Sequence, residues 1–514
     1  MKQKLANLNP DRVHQIALLL ILLVCYAYTF PRWADPNQNS RLNMVVAVVE
    51  DGTFQIDKYV ANTVDYAKVG DHYYSDKAPG AAFAAIPFYA GLKVMLDRPF
   101  MDGLTERLAN SAAFQSTLRE DGSGVSKQKV RFAIAQVMLT FIVSALPSAL
   151  LGLLLYRLSG EFTASIWPRI TLVLSYGLLT PAFAYAGAFY GHQLSTLLLF
   201  SAFYLIFTRP TRLSTATLIG VGLLLGYSVI TEYPTVLMAG ILYLYTLYTL
   251  FRFDDWRRIA WVTLAGALVA AGWMAYNTLI FGGPLTLGYS HSELWQDQHH
   301  TGFMSLTLPH WDAVWGITFG LFRGLFVLSP ILLLALPGFI LWWRSGQHRV
   351  EFWVAALSML TIFLFNASSG MWWGGFAIGP RYLLPMLPLM ALALIFVFDQ
   401  GSRRGWLSGL VIVLSVWSAV ATWGLTLAEQ AFPSDTIRNP WLEYAWPNWQ
   451  DGNIARNFGT ILGLQGLWSL LPLLSIISLI GVGWWLIYRW RDLDFRVERA
   501  NSTDTLKQNP TSAQ

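Results

Sequence analysis

The sequence predicts an all-α polytopic membrane protein, a bundle of about 12 transmembrane helices with a long first outer loop that bears interfacial helices. Three observations predict it. Of the 514 residues 54% are hydrophobic and only 13% charged, whereas a soluble domain carries about 25% charged residues. Apolar runs of 17 or more residues recur along nearly the whole length, close to the roughly 20 helical residues that cross a bilayer. Lipid offers no partner to free backbone groups, so these runs are helices and not open strands.

Residues 1–30 read as a cytoplasmic N-terminus and first span. Lys2, Lys4 and Arg12 precede the run 13–30, which is longer than a signal core and lacks a small-residue cleavage site. Cys25 is the single cysteine and lies inside that run, so neither a disulfide framework nor a cysteine metal site is available. The net charge of +5 calls for no nucleic-acid partner, because the basic residues gather at span ends.

Further spans are read at about 130–156, 168–188, 193–208, 214–231, 235–251, 259–280, 324–343, 351–367, 382–398, 406–426 and 465–488. Every second connection is basic: Arg157 and Arg169, Arg209 and Arg212, Arg252 with Arg257 and Arg258, Arg344 and Arg349, Arg403 and Arg404, Arg489 and Arg491. Short basic loops belong in the cytoplasm. That parity holds only if the apolar piece 81–96, interrupted by Pro87, does not cross, so it is read as a helix at or dipping into the outer interface. Residues 31–129 then form one long outer loop, and loops of that length are usually functional. The bundle occupies 130–494, with outer loops at about 281–322, 368–381 and 427–464, and a polar tail at 495–514 reads as disordered.

The outer segments hold the candidate chemistry. The first cluster, Asp35 to Arg41, follows span one and leads to Glu50, with Arg41 opening an apolar helical stretch. The second is Gly70-Asp71-His72-Tyr73-Tyr74-Ser75-Asp76-Lys77-Ala78-Pro79-Gly80. Its Asp76 and Lys77 either neutralise each other at a helix start or serve a ligand, the lysine acting as a point charge toward a phosphate oxygen. The third is Gly370 to Tyr382, with Trp372, Trp373 and Arg381. Arg381 and Arg323 lie at outer span ends, where the positive-inside rule asks for no cation, and with Lys77 they suit a lipid phosphate or diphosphate. His192 and Glu232 are each accounted for by an interhelical hydrogen bond, yet together could line a cavity. His291, His299, His300 and His310, with Glu293, Asp297 and Asp312, match no ligand spacing, and no metal or other cofactor is expected.

In these features the chain resembles the GT-C superfamily of membrane glycosyltransferases, which includes bacterial aminoarabinose transferases and protein O-mannosyltransferases. The resemblance is carried by the layout and by Asp76-Lys77-Ala78-Pro79, similar to an acid-Lys-Pro-Pro motif with one proline replaced. Gly379-Pro380-Arg381-Tyr382 is similar to outer-loop sequences of bacterial members. The resemblance implies transfer of a sugar from a polyprenyl-phosphate donor to an acceptor on the outer face, with inversion and without a metal. It implies that Lys77 contacts the donor phosphate, with Arg41, Arg323 and Arg381 as further phosphate ligands. His72, Tyr74, His192, Glu232, Trp372, Trp373 and Tyr382 are expected to line the substrate cavity. The family carries an Asp-Glu pair just before the arginine, where this chain has Gln38 and Asn39, so Asp35, Glu50 and Asp76 stay open as the base. The acceptor is a lipid, a glycan or a protein, and the resemblance implies a bacterial inner membrane with the site facing the periplasm. The competing readings are a transporter or flippase of lipid-linked sugars and a non-catalytic scaffold.

Overall fold

The computed structural model describes residues 10–111, 115, 126–209, 211, 213–294, 305–401 and 404–508. Helix α1 (Pro10–Ala27) leads into α2 (Pro36–Glu50), the latter opened by two local signals, a side-chain cap from Asp35 and a proline in the first turn. A short antiparallel hairpin follows, β1 (Ala67–Val69) against β2 (His72–Tyr74), with Lys68 opposite Tyr73. Helices α3 (Gly80–Leu96) and α4 (Pro99–Ala109) meet at 92°, which makes a broken span or a re-entrant hook.

The bundle then runs through α5 (Ser126–Thr140), a π turn (Phe141–Ala145), α6 (Leu146–Ser159), α7 (Ile166–Leu178), α8 (Ala182–Ala186), α9 (His192–Thr208), α10 (Thr215–Thr231), α11 (Val236–Arg252) and α12 (Ile259–Phe281). After it come α13 (Trp311–Thr318), α14 (Leu325–Leu328), α15 (Ala335–Ser345), α16 (Arg349–Ala367), α17 (Leu387–Gly401), α18 (Gly405–Leu427), α19 (Trp446–Gln450), α20 (Phe458–Ile461) and α21 (Leu471–Gln508). This is an all-α, multi-pass integral membrane protein.

Every apolar segment read from the sequence contains helix, but the count of 12 does not follow from helix length. Seven helices among the described residues are long and apolar enough to cross, eight if the bent pair α3–α4 is one span, and three shorter apolar helices accompany them. Prolines and glycines break others, as between α7 and α8 and around Pro330. Residues 495–508, expected to belong to a disordered tail, continue α21, and 509–514 lie outside the described residues.

Two hydrophobic cores hold the chain. The larger fills the bundle, and the smaller joins α2, α3 and α5 through Leu42, Val45, Ala81, Ala85, Ala135 and Leu139 to Tyr276 and Phe281 of α12. In lipid no hydrophobic force separates helix faces, so close packing decides which helices associate. Helices α10 and α12 approach through Gly222, Gly226 and Gly266, where a Cβ on Gly226 would lie 3.2 Å from the Gly266 Cα. Polar groups inside the bundle bond to the preceding turn, as Thr246 Oγ1 does to the Leu242 carbonyl at 2.8 Å. The result is a rigid frame whose α9 start and α10 end face α2.

Candidate functional site

Three close backbone approaches build the site. A Cβ on Gly80 would lie 2.8 Å from the Thr231 Cα, one on Gly191 would lie 2.5 Å from the Thr231 carbonyl oxygen, and one on Gly288 would lie 2.8 Å from the Asp76 Cα. The segment bearing Asp76 and Lys77 is thereby pressed against the end of α10 and the turn at 288–291, and the start of α9 packs on that same end of α10.

Lys77 is buried, with Nζ 3.0 Å from Asp65 Oδ2 and 3.2 Å from both Asp76 oxygens. Burial opposes the ammonium, yet the carboxylates of Asp65 and Asp76 outweigh it and leave the Lys77 pKa raised. Burial likewise raises Asp76, against the pull of Lys77. The Tyr289 ring covers the amine at 5.6 Å.

Arg41, on the buried face of α2, pairs with Glu232 Oε1 at 3.0 Å, and His192 Nδ1 lies 3.5 Å from the same oxygen. Asp35 caps α2: its Oδ1 accepts from the Gln38 amide at 3.0 Å and its Oδ2 from the Tyr190 hydroxyl at 2.7 Å. Burial raises the Asp35 pKa, against those two hydrogen bonds. The Arg381 guanidinium sits 5.4 Å from the Tyr190 ring and 5.3 Å from Tyr382, within cation–π range. It makes no ion pair among the described residues, and its Nε is buried without a hydrogen-bond partner. The Arg41 guanidinium lies 6.0 Å from the Tyr190 ring, so Tyr190 joins Asp35, Arg41 and Arg381, while Glu232 joins Arg41 to His192.

The structure thus brings together Asp35, Arg41, Lys77, Asp76, His192, Glu232, Arg381 and Tyr382, the last with its ring 6.3 Å from His192. Other expected residues lie elsewhere. Glu50 is exposed at the far end of the 15-residue α2, about 22 Å along the helix from Asp35, and binds Lys93 at 3.0 Å and the Tyr89 hydroxyl at 3.0 Å. His72 is exposed on the hairpin against Asp57 at 2.8 Å, and Tyr74 packs on Phe281. Trp372 lies under Gly316 and beside Phe322, and Trp373 stands across from it. Arg323 donates to backbone carbonyls, including Gly375 at 2.8 Å.

Gln38 and Asn39 are structural. Gln38 accepts from the Phe189 amide at 2.8 Å, and Asn39 donates to the Trp33 and Asn62 carbonyls, each at 2.9 Å. Sequence reasoning missed Asp65, one acid among several in a long loop, and Tyr190, whose neighbour His192 was the only signal nearby. Of the histidine-rich segment, Asp297, His299 and His300 lie outside the described residues, and His291 stacks on Phe281.

No protein-family model matches the chain, and no curated protein does. Among solved structures it is similar to ArnT from Cupriavidus metallidurans bound to undecaprenyl phosphate, with 14% identity and a TM-score of 0.46 over 93% of this chain and 75% of that one. It is similar also to the same protein in its apo state, with 13% identity and a TM-score of 0.47 over the same shares.

Proposed function

We propose that the protein is a membrane glycosyltransferase that moves a sugar from a polyprenyl-phosphate donor to an acceptor on the outer face of a bacterial inner membrane. The observation that carries the reading is Arg381, a cation in no ion pair among the described residues, set between two tyrosines beside the buried Asp35 and Arg41. A guanidinium without a carboxylate is open to an anionic headgroup, and its planar fork suits phosphate. Arg41 and Lys77 already hold carboxylates, so they add positive potential and take a phosphate oxygen only as those partners yield.

In this reading Arg381 takes the donor phosphate, with Lys77 and Arg41 behind it, and Asp35 serves as general base. Asp35 accepts the proton of the acceptor hydroxyl or amine as that atom attacks the anomeric carbon. The bond from that carbon to the phosphate oxygen breaks with inversion, and its electron pair leaves on polyprenyl phosphate, whose developing charge the cations stabilise. Asp76, which accepts from Lys77 through Oδ2 and sets Oδ1 at ion-pair distance from the same amine, orients the lysine. Glu50 has no part in the step, since it stands at the other end of α2.

The test is release of polyprenyl phosphate from a panel of polyprenyl-phosphosugars by the purified protein in lipid, with membrane extract as acceptor. Release by wild type that is lost in Asp35→Asn and Arg381→Ala, both folded, supports the reading. No release from any donor sinks it in favour of a flippase.

A further inference from the structure

Arg323 is a cation at an outer span end, yet its guanidinium is spent on the backbone. Nε donates to the Trp373 carbonyl at 3.2 Å, Nη1 to Phe322 at 3.2 Å, and Nη2 to Gly375 at 2.8 Å and Pro433 at 3.5 Å. The plane of the group packs 4.0 Å from the Phe322 ring, and the side chain is 1% exposed. Four of the five N–H protons on that fork are so engaged, which leaves one on Nη1.

Two of the carbonyls it holds, those of Trp373 and Gly375, belong to a segment that leads directly to Arg381. Gly374, Gly375 and Gly379 all have positive φ, at 71°, 65° and 64°, a region open to glycine at little cost and costly for other residues. Such a segment has little conformational preference of its own, so something else must fix it. A Cβ on Gly374 would lie 3.0 Å from Arg381 Nε and 3.1 Å from its Cγ, so the Arg381 stem lies along the Gly374 backbone. The far end of the segment is tied by the Ala377 amide to the Pro433 carbonyl at 3.4 Å and by the Ile378 amide to the Tyr185 hydroxyl at 3.2 Å. Arg323 and Ala377 thus grip the same carbonyl from two sides.

We propose that Arg323 is a positioning residue: it pins the Trp373–Gly375 backbone so that the Arg381 guanidinium is held between Tyr190 and Tyr382, ready for the donor phosphate. The role assigned to Arg381 rests on the function proposed above; the pinning of the segment by Arg323 does not. A lysine keeps the charge but presents a single ammonium, which cannot span carbonyls on Trp373, Gly375 and Pro433 in the planar fork that arginine provides.

The experiment compares wild type with Arg323→Lys, Arg323→Gln, Arg381→Ala and the double variant Arg323→Lys/Arg381→Ala in lipid, each checked for thermal unfolding. Two readouts are taken: hydrogen exchange of the amides at 373–379, and the KM and kcat for a polyprenyl-phosphosugar. Arg323→Lys is expected to speed exchange in 373–379 while α10 and α12 stay protected. It is expected to raise donor KM on the order of tenfold, equal to about 1.4 kcal/mol, with less change in kcat and no further loss in the Arg381→Ala background. Unchanged exchange in Arg323→Lys overturns the pinning role whatever the activity shows. Faster exchange with a loss that adds fully to Arg381→Ala, or full activity in Arg323→Lys against loss in Arg323→Gln, overturns positioning in favour of a direct charge. If wild type turns over no donor, the exchange readout still decides the pinning and the functional reading fails separately. If Arg323→Lys does not fold, Arg323→Gln carries the exchange readout, and unchanged exchange at 373–379 there overturns the proposal.

Discussion

Replacing Asp35 separates its two roles, capping α2 and accepting a proton. In Asp35→Ala the cap on the Gln38 amide is lost, which costs about 1 kcal/mol, and the Tyr190 hydroxyl is left buried without its 2.7 Å acceptor, which costs about 1–3 kcal/mol. Together these predict a loss of about 2–4 kcal/mol. Asp35→Asn keeps an oxygen for the Gln38 amide, and Asn caps about as well as Asp; its Nδ2 can donate to the Tyr190 oxygen, whose O–H then turns from Asp35 to another acceptor. It also removes a buried anion. Because burial raises the Asp35 pKa in the folded state, the native carboxyl holds its proton more tightly than the unfolded one. Its contribution to stability is therefore full at low pH and is lost as pH rises through the raised value. At neutral pH the wild type bears the cost of a buried carboxylate that Asp35→Asn does not, so the variant unfolds at the same or a higher temperature near pH 7. That advantage shrinks as the solution is acidified toward the ordinary carboxylate range. Turnover of a polyprenyl-phosphosugar by Asp35→Asn falls by about 10²–10⁴, the usual worth of a general base. The assay is thermal unfolding in nanodiscs across pH alongside polyprenyl phosphate release. Wild-type turnover in folded Asp35→Asn would refute the assignment of the base.

Three further outcomes follow from the same geometry. Lys77→Met strands Asp65 and Asp76 without their cation and lowers stability by about 3–5 kcal/mol; adding Asp65→Asn restores part of it, and equal unfolding of single and double variants would count against the triad. Glu232→Gln frees Arg41 from its 3.0 Å partner and costs about 1–3 kcal/mol, while binding of polyprenyl phosphate, read by fluorescence quenching, strengthens as Arg41 is released; weaker binding would show that Glu232 orients the arginine for the ligand. Gly80→Ala drives a methyl to 2.8 Å from the Thr231 backbone and costs about 1–3 kcal/mol, whereas Gly91→Ala, inside the same helix with nothing within 4 Å of the new carbon, stabilises by about 0.5–1 kcal/mol in the same melt.

Much of the fold was legible because membrane helices are written in composition. Each apolar run became helix, although the helical stretch read from Arg41 begins earlier, at Pro36, where the Asp35 side chain caps it. The count of crossings was not legible, since Gly80–Leu96 and Pro99–Ala109 differ from a single span by a 92° bend at Asp97-Arg98, and hydropathy alone does not say whether a bent pair crosses. In the site, Asp76-Lys77 and Arg381 stood out as charges beside apolar sequence. Arg323 stood out for the same reason, but a charge pattern does not say whether a guanidinium meets a ligand or backbone carbonyls.

The sequence by itself determined that this chain is helical and membrane-spanning and that charged groups collect in a few polar segments, because hydropathy and local caps act over neighbouring residues. Only the tertiary structure decided that Asp65, 12 positions before Lys77, is its second carboxylate, that Glu232 serves both Arg41 and His192, and that Tyr190 links Asp35 to Arg381. Those contacts span up to 191 residues between Arg41 and Glu232. They depend on where small residues let helices touch, which no local pattern of charge or hydropathy encodes.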